Sequence, residues 1–234
     1  MNIIDIVFLL VLLISIIFGL YRRSLTALLG LVSCLIAFLL SFAIAPRLSD
    51  TLSQNRPLTE MLASYTDAAS LVGDYSLATT EVNTMSDATL ETVIKNVPLP
   101  DTISSILQSN LAGRVFAAQG KRTVNDYISA TLVSVILHIF SFVLSFFLLF
   151  FILHFIVNLL DHVFHFPLLK YMDGLLAALF GLLRGILVLY VLLLLWPVLC
   201  TIIPMDRIGG YLGESQLLDF FSSASFFIRV ATGR

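Results

Sequence analysis

His154, Asp161, His162 and His165 recur at helical spacing, with Asn158 between them, and form the group in this sequence most able to do chemistry. Three imidazoles and a carboxylate on one helix face supply the donors that Zn²⁺ or another borderline metal takes. The same side chains also serve as plain polar groups at a membrane interface, and no zinc pattern has this spacing. A second polar face, Ser134, His138, Ser141 and Ser145, precedes it at intervals of three or four residues. At about 100° per residue the two faces are roughly opposed. The second face suits the lining of a hydrated path, or hydrogen bonds between helices and back to their own carbonyls. Arg184 lies well inside an apolar run. An arginine at mid-bilayer costs about 2.5–3.5 kcal/mol, so it either faces a partner or wet cavity, or snorkels to the headgroups. Asp161 and Asp173 are carboxylates at its own end of the span, and Asp5 is a more distant one.

Nothing orders these groups for catalysis. There is no P-loop, HExxH or GxSxG, and no Ser-His-Asp set at defined spacing. The expectation is a protein that is not an enzyme, with no catalytic residues and no cofactor.

The elements that position these residues follow from composition. Of 234 residues, 59% are hydrophobic and 12% charged, half the roughly 25% charge of a soluble domain. The net charge of −2, without a basic patch, excludes nucleic acid as a partner. Cys34 and Cys200 both lie in apolar runs and read as inert packing residues. The amino-terminal run lacks the basic start and small-residue cleavage site of a signal peptide, so it reads as a retained span.

A bilayer core of about 30 Å takes about 20 apolar helical residues. Residues 3–20 and 25–45 form two such spans joined by a tight turn, a hairpin over 1–45 that Pro46 ends. Residues 46–126 are polar, with nine acidic and six basic residues. Helical pieces are expected at Leu58–Val72, from Asp87, and from Asp101 (as an N-cap) to about Ala118. Ile103, Ile106, Leu107, Leu111 and Val115 give the last piece an apolar face, so the segment reads as a packed helical cap. A second hairpin over 127–203 holds the long spans 128–160 and 174–203, and 204–234 is a tail with an interfacial amphipathic helix at Glu214–Val230.

The fold class is therefore an all-α membrane protein of four transmembrane helices, with an extracytoplasmic helical insertion between spans 2 and 3. Arg22, Arg23 and Lys170 are the cytoplasmic anchors, which places both termini outside; Lys121 and Arg122 vote the other way from a long loop, where such votes are weak. Small residues form two stripes, Gly174, Ala177, Gly181 and Gly185 in span 4, and Ala27, Gly30, Cys34, Ala37, Ser41 and Ala45 in span 2. Such stripes let helix backbones approach closely, either within the chain or in a homo-oligomer.

Several stretches resemble the colicin V production (CvpA) family of bacterial inner-membrane proteins. The chain opens Asn2-Ile3-Ile4-Asp5, and its first turn reads Gly19-Leu20-Tyr21-Arg22-Arg23-Ser24-Leu25. Met172-Asp173-Gly174-Leu175 leads to Gly181-Leu182-Leu183-Arg184-Gly185, and Glu214-Ser215-Gln216-Leu217-Leu218 is similar to the family's tail. Arg23-Ser24 replaces the family's glycine, Asp219 its proline, and the cap is longer than in short members. The resemblance implies a multi-pass protein of the bacterial cytoplasmic membrane, acting as an accessory or scaffold factor in peptide-toxin secretion and envelope maintenance. The bilayer, a second copy and a secretion or envelope protein are its expected partners. The alternative is an oligomeric channel or transporter for ions or small solutes, with Arg184, His138 and the serine face along its path.

Overall fold

The structure, a computed structural model, describes residues 3–21, 24–66, 72, 75–97, 99, 101–163, 173–195 and 198. In chain order its helices are α1 (Ile3–Leu20), α2 (Ser24–Ser53), α3 (Arg56–Tyr65), α4 (Tyr75–Thr79), α5 (Asp87–Asn96), α6 (Asp101–Ala112), α7 (Val124–Val163) and α8 (Asp173–Leu193), with 3₁₀ turns at Val82–Thr84 and Ala117–Gln119. Among the described residues the only β feature is an isolated antiparallel bridge between Glu81 and Thr123. The all-α expectation holds.

Three helices, Ser24–Ser53, Val124–Leu159 and Gly174–Leu193, are long and apolar enough to cross a membrane, which makes this a multi-pass membrane protein; α1 is apolar but shorter. Two compact units divide the described chain, one holding Met1–Ala45 and Phe142–Leu195, the other Pro46–Ser141.

In the first unit, α2 turns small and polar residues inward and large apolar ones outward. On α2, Ala27, Ser33, Cys34, Ala37 and Ser41 are buried, while Leu28, Leu29, Val32, Leu35, Ile36, Leu39, Leu40 and Ile44 are exposed. In water that arrangement would leave a large apolar surface unsatisfied; in lipid it is the stable one, because lipid tails are as apolar as leucine and close helix approach is what remains to be gained. Phe142 of α7 anchors the same unit, its ring edge-on to Phe38 at 5.9 Å and to Phe42 at 4.9 Å between centroids. The Ser33 and Ser41 hydroxyls donate to the carbonyls of Leu29 and Ala37, at 2.7 and 2.6 Å, which satisfies them within their own helix.

The second unit has a conventional core. Ile103, Ile106, Leu107 and Leu111 of α6 are buried, as are Val124, Tyr127, Ile128 and Leu132 of α7. Asn110 Nδ2 donates to Thr131 Oγ1 across these helices at 3.1 Å. The start of α7 is fixed by a reciprocal cap: Asp126 Oδ2 accepts from the backbone N–H groups of Arg122 and Thr123, and Thr123 Oγ1 accepts from the Asp126 N–H, each at 3.2 Å. This is a capping box, which satisfies helix donors that otherwise have no partner. Asn55 and Ser86 cap α3 and α5 in the same manner, accepting from the Leu58 and Thr89 amides.

Several boundaries differ from the sequence reading. α2 continues through Pro46 to Ser53; a proline removes one backbone donor, and buried Ala45 and Ser49 on either side hold the helix together. α3 begins at Arg56 because Asn55 caps it and Pro57 suits a first turn. Asp101 is the first helical residue of α6 and not its cap. α6 stops at Ala112, Arg114 takes a positive φ of 47°, and Val115 is consequently exposed. α7 extends beyond the 128–160 run at both ends. α8 ends at Leu193, followed by tighter i→i+3 bonds from the Leu194 and Leu195 amides. Arg22, Arg23, His165, Lys170, Cys200 and the tail helix at 214–230 lie outside the described residues.

Candidate functional site

Two places bring chemistry-bearing residues together, one in each unit. In the polar unit a cleft of about 420 Å³ forms between the end of α2, α3, the segment before α7, and the first turns of α7. Ser49, Asp50 and Ser53 enter it from α2, and Thr59 and Glu60 from α3. Lys121 comes from the segment that the capping box pins against α7. Ser129, Ser134 and His138 come from α7, with Phe116, Val133 and Leu137 as an apolar wall.

His138 Nδ1 lies 2.8 Å from the Ser134 carbonyl oxygen. A carbonyl only accepts, so Nδ1 carries a proton and donates it to Ser134. The Asp50 and Glu60 carboxylates make no ion pair or side-chain hydrogen bond among the described residues. The sequence reading singled out Ser134 and His138 but missed Asp50, Glu60 and Lys121, which are remote in sequence and meet only through the fold.

In the membrane unit, α1 packs along α8 with backbone against backbone. A Cβ added at Gly19 would strike the Ala177 carbonyl oxygen, and one added at Gly181 would lie 2.6 Å from the Ser15 carbonyl oxygen and 3.1 Å from Gly19 Cα. One added at Gly185 would meet the Ser15 side chain at 2.8 Å and Leu12 at 3.3 Å. Lower α1 numbers pair with higher α8 numbers, so the two helices are antiparallel. Ser15 Oγ donates to the Gly181 carbonyl at 2.7 Å and staples the seam. The span-4 stripe is therefore filled by the chain's own first helix at Ala177, Gly181 and Gly185, while a Cβ at Gly174 would meet nothing within 4 Å among the described residues. On α2, Ala37 and Ser41 are fully buried. Gly30 faces Arg184, whose Nη1 would lie 3.5 Å from an added Cβ. A missing side chain on α2 thus makes room for the half-buried guanidinium of α8.

The serine face of α7 divides in character. Ser134 and His138 reach the cleft, whereas Ser141 and Ser145 are buried with hydroxyls that have no hydrogen-bond partner among the described residues. His154 stacks on Phe150, centroids 5.7 Å apart. Asp161 and His162 are in α7, with side chains outside the description, as is His165 entirely. Among the described residues no group of three or more His, Cys, Asp or Glu is placed to hold a metal ion. Asp5 lies in the first turn of α1.

The family described as Colicin V production protein matches this chain over residues 103–225, more than half its length and including α7, α8 and most of α6. Comparison with curated proteins gives no match, and comparison with solved structures gives none.

Proposed function

The chain belongs to the colicin V production protein family, and from that premise we propose that it is a four-span accessory or scaffold protein of the bacterial cytoplasmic membrane, serving peptide secretion and envelope maintenance and catalysing no reaction. The α1–α8 seam is the observation that supports this reading best. α1 is 18 residues, about 27 Å at 1.5 Å per residue, a little short of the bilayer core. Its antiparallel backbone contact with α8, a helix that qualifies as a span, supports reading it as a fourth. A seam closed by glycine against carbonyl leaves no lumen along that line, which suits a structural bundle better than a conduit.

In this proposal residues 46–126 are an extracytoplasmic insertion that meets the secretion or envelope partner, both termini lie outside, and copies of the chain associate through exposed apolar faces. A second reading, an oligomeric conduit for ions or small solutes, is favoured by the two buried, unpartnered hydroxyls of Ser141 and Ser145. Flux into proteoliposomes separates the two. The scaffold reading expects no flux above empty vesicles and toxin export that survives Arg184→Leu but fails when 46–126 is excised. Flux abolished by Ser141→Ala or Arg184→Leu at matched insertion would replace the scaffold with the conduit.

A further inference from the structure

The cleft in the polar unit belongs to no part of the scaffold argument, and its chemistry is specific. We infer that it binds a small zwitterionic ligand of the amino-acid or dipeptide class, with the amine held by Asp50 and Glu60 and the carboxylate by Lys121.

Size sets the first limit. A volume of about 420 Å³ lies in the range of sites for small organic ligands and is too small for a folded partner. Charge sets the second. Both carboxylates come from α2 and α3, while Lys121 comes from a different element, the segment before α7. The cleft is thus lined by charges of both signs. A purely anionic ligand would meet two carboxylates, and a purely cationic one would leave Lys121 facing it with like charge. A ligand with both charges satisfies both signs.

Availability is the third point. The Asp50 and Glu60 carboxylates are free of ion pairs among the described residues, so a ligand amine displaces only water. Lys121 lies within electrostatic reach of Asp126, but both Asp126 oxygen contacts go to backbone amides through Oδ2, so Lys121 is not locked by it. Phe116, Val133 and Leu137 would receive an aliphatic side chain. His138, whose Nδ1 is committed to the Ser134 carbonyl, leaves Nε2 as its remaining polar atom for the ligand. A divalent metal is the weaker occupant, since no three-ligand group exists among the described residues.

The test uses the full-length protein in lipid nanodiscs and calorimetric titration with alanyl-leucine, N-acetyl-alanyl-leucine and alanyl-leucinamide. Alanyl-leucine should bind at submillimolar concentration, and blocking either terminus should weaken binding about tenfold, a difference of about 1.4 kcal/mol. In D50N/E60Q the acetyl block should cease to matter, and in K121Q the amide block should, with unchanged thermal midpoints. Equal binding of all three ligands, dependence on one terminus alone, or no binding up to about 10 mM would overturn the proposal. If a variant does not fold, the three-ligand series on the wild type still decides. Toxin export by the same protein is read separately, so failure of the cleft leaves the scaffold reading standing.

Discussion

Gly181→Ala is the sharpest probe of the membrane unit, because a single methyl group tests the whole seam. The new Cβ would sit 2.6 Å from the Ser15 carbonyl oxygen and 3.1 Å from Gly19 Cα. Both neighbours are backbone, so no rotamer can yield and α1 itself must move by about 0.5–1 Å to restore van der Waals separation. Overpacking of this kind costs about 1–3 kcal/mol. The shift also lengthens the Ser15–Gly181 hydrogen bond, worth about 0.6–1.7 kcal/mol between membrane helices. Together the loss is roughly 2–4 kcal/mol. Gly174→Ala is the control, with nothing within 4 Å of its Cβ and an expected change within about 0.5 kcal/mol. Both are measured by SDS titration of purified protein in mixed micelles, following helicity. Equal midpoints for the two variants would refute the seam.

Ser15→Ala isolates the staple, and its loss should be about 0.6–1.7 kcal/mol in the same titration, whereas Ser41→Ala, which removes only a bond to its own helix, should change little. Asp126→Ala removes the α7 capping box; thermal unfolding should show a loss of about 0.5–2 kcal/mol, with faster hydrogen exchange at the Arg122 and Thr123 amides. Ser141→Ala and Ser145→Ala delete buried hydroxyls without partners, so each should leave stability unchanged or raise it. A clear destabilisation there would reveal a partner for these groups.

The sequence carried some of this plainly and hid the rest for identifiable reasons. The small-residue stripes were readable because spacing of three or four residues defines a helix face. Which surface fills a stripe is not encoded in the stripe, and here α1 occupies the one on α8 through Ser15 and Gly19. Thr123 and Asp126 spell a capping box at the position where α7 starts, a local signal that could have moved that boundary from Ile128. Pro46 misled because proline is a strong breaker in isolation, and packing on both sides overrides it. The cleft was illegible for another reason. Asp50, Glu60 and Lys121 have no periodic relation to one another, and only tertiary folding brings them into one lining.

A seam made of backbone has a further property. Its closest contacts, Gly19 and Gly181 against carbonyl oxygens, join atoms that have no rotamers, and the Ser15 hydroxyl adds a hydrogen bond, so α1 has few intermediate positions between docked and detached. Its length of about 27 Å from 18 residues makes the choice sensitive to the lipid around it. In the proposed four-span arrangement, a hydrocarbon core of about 30 Å leaves a mismatch of about 3 Å, at a fraction of a kcal/mol per Å. In that arrangement a thicker, more ordered bilayer narrows the margin by which the seam holds α1. Backbone packing thus couples membrane thickness to the docking of one helix.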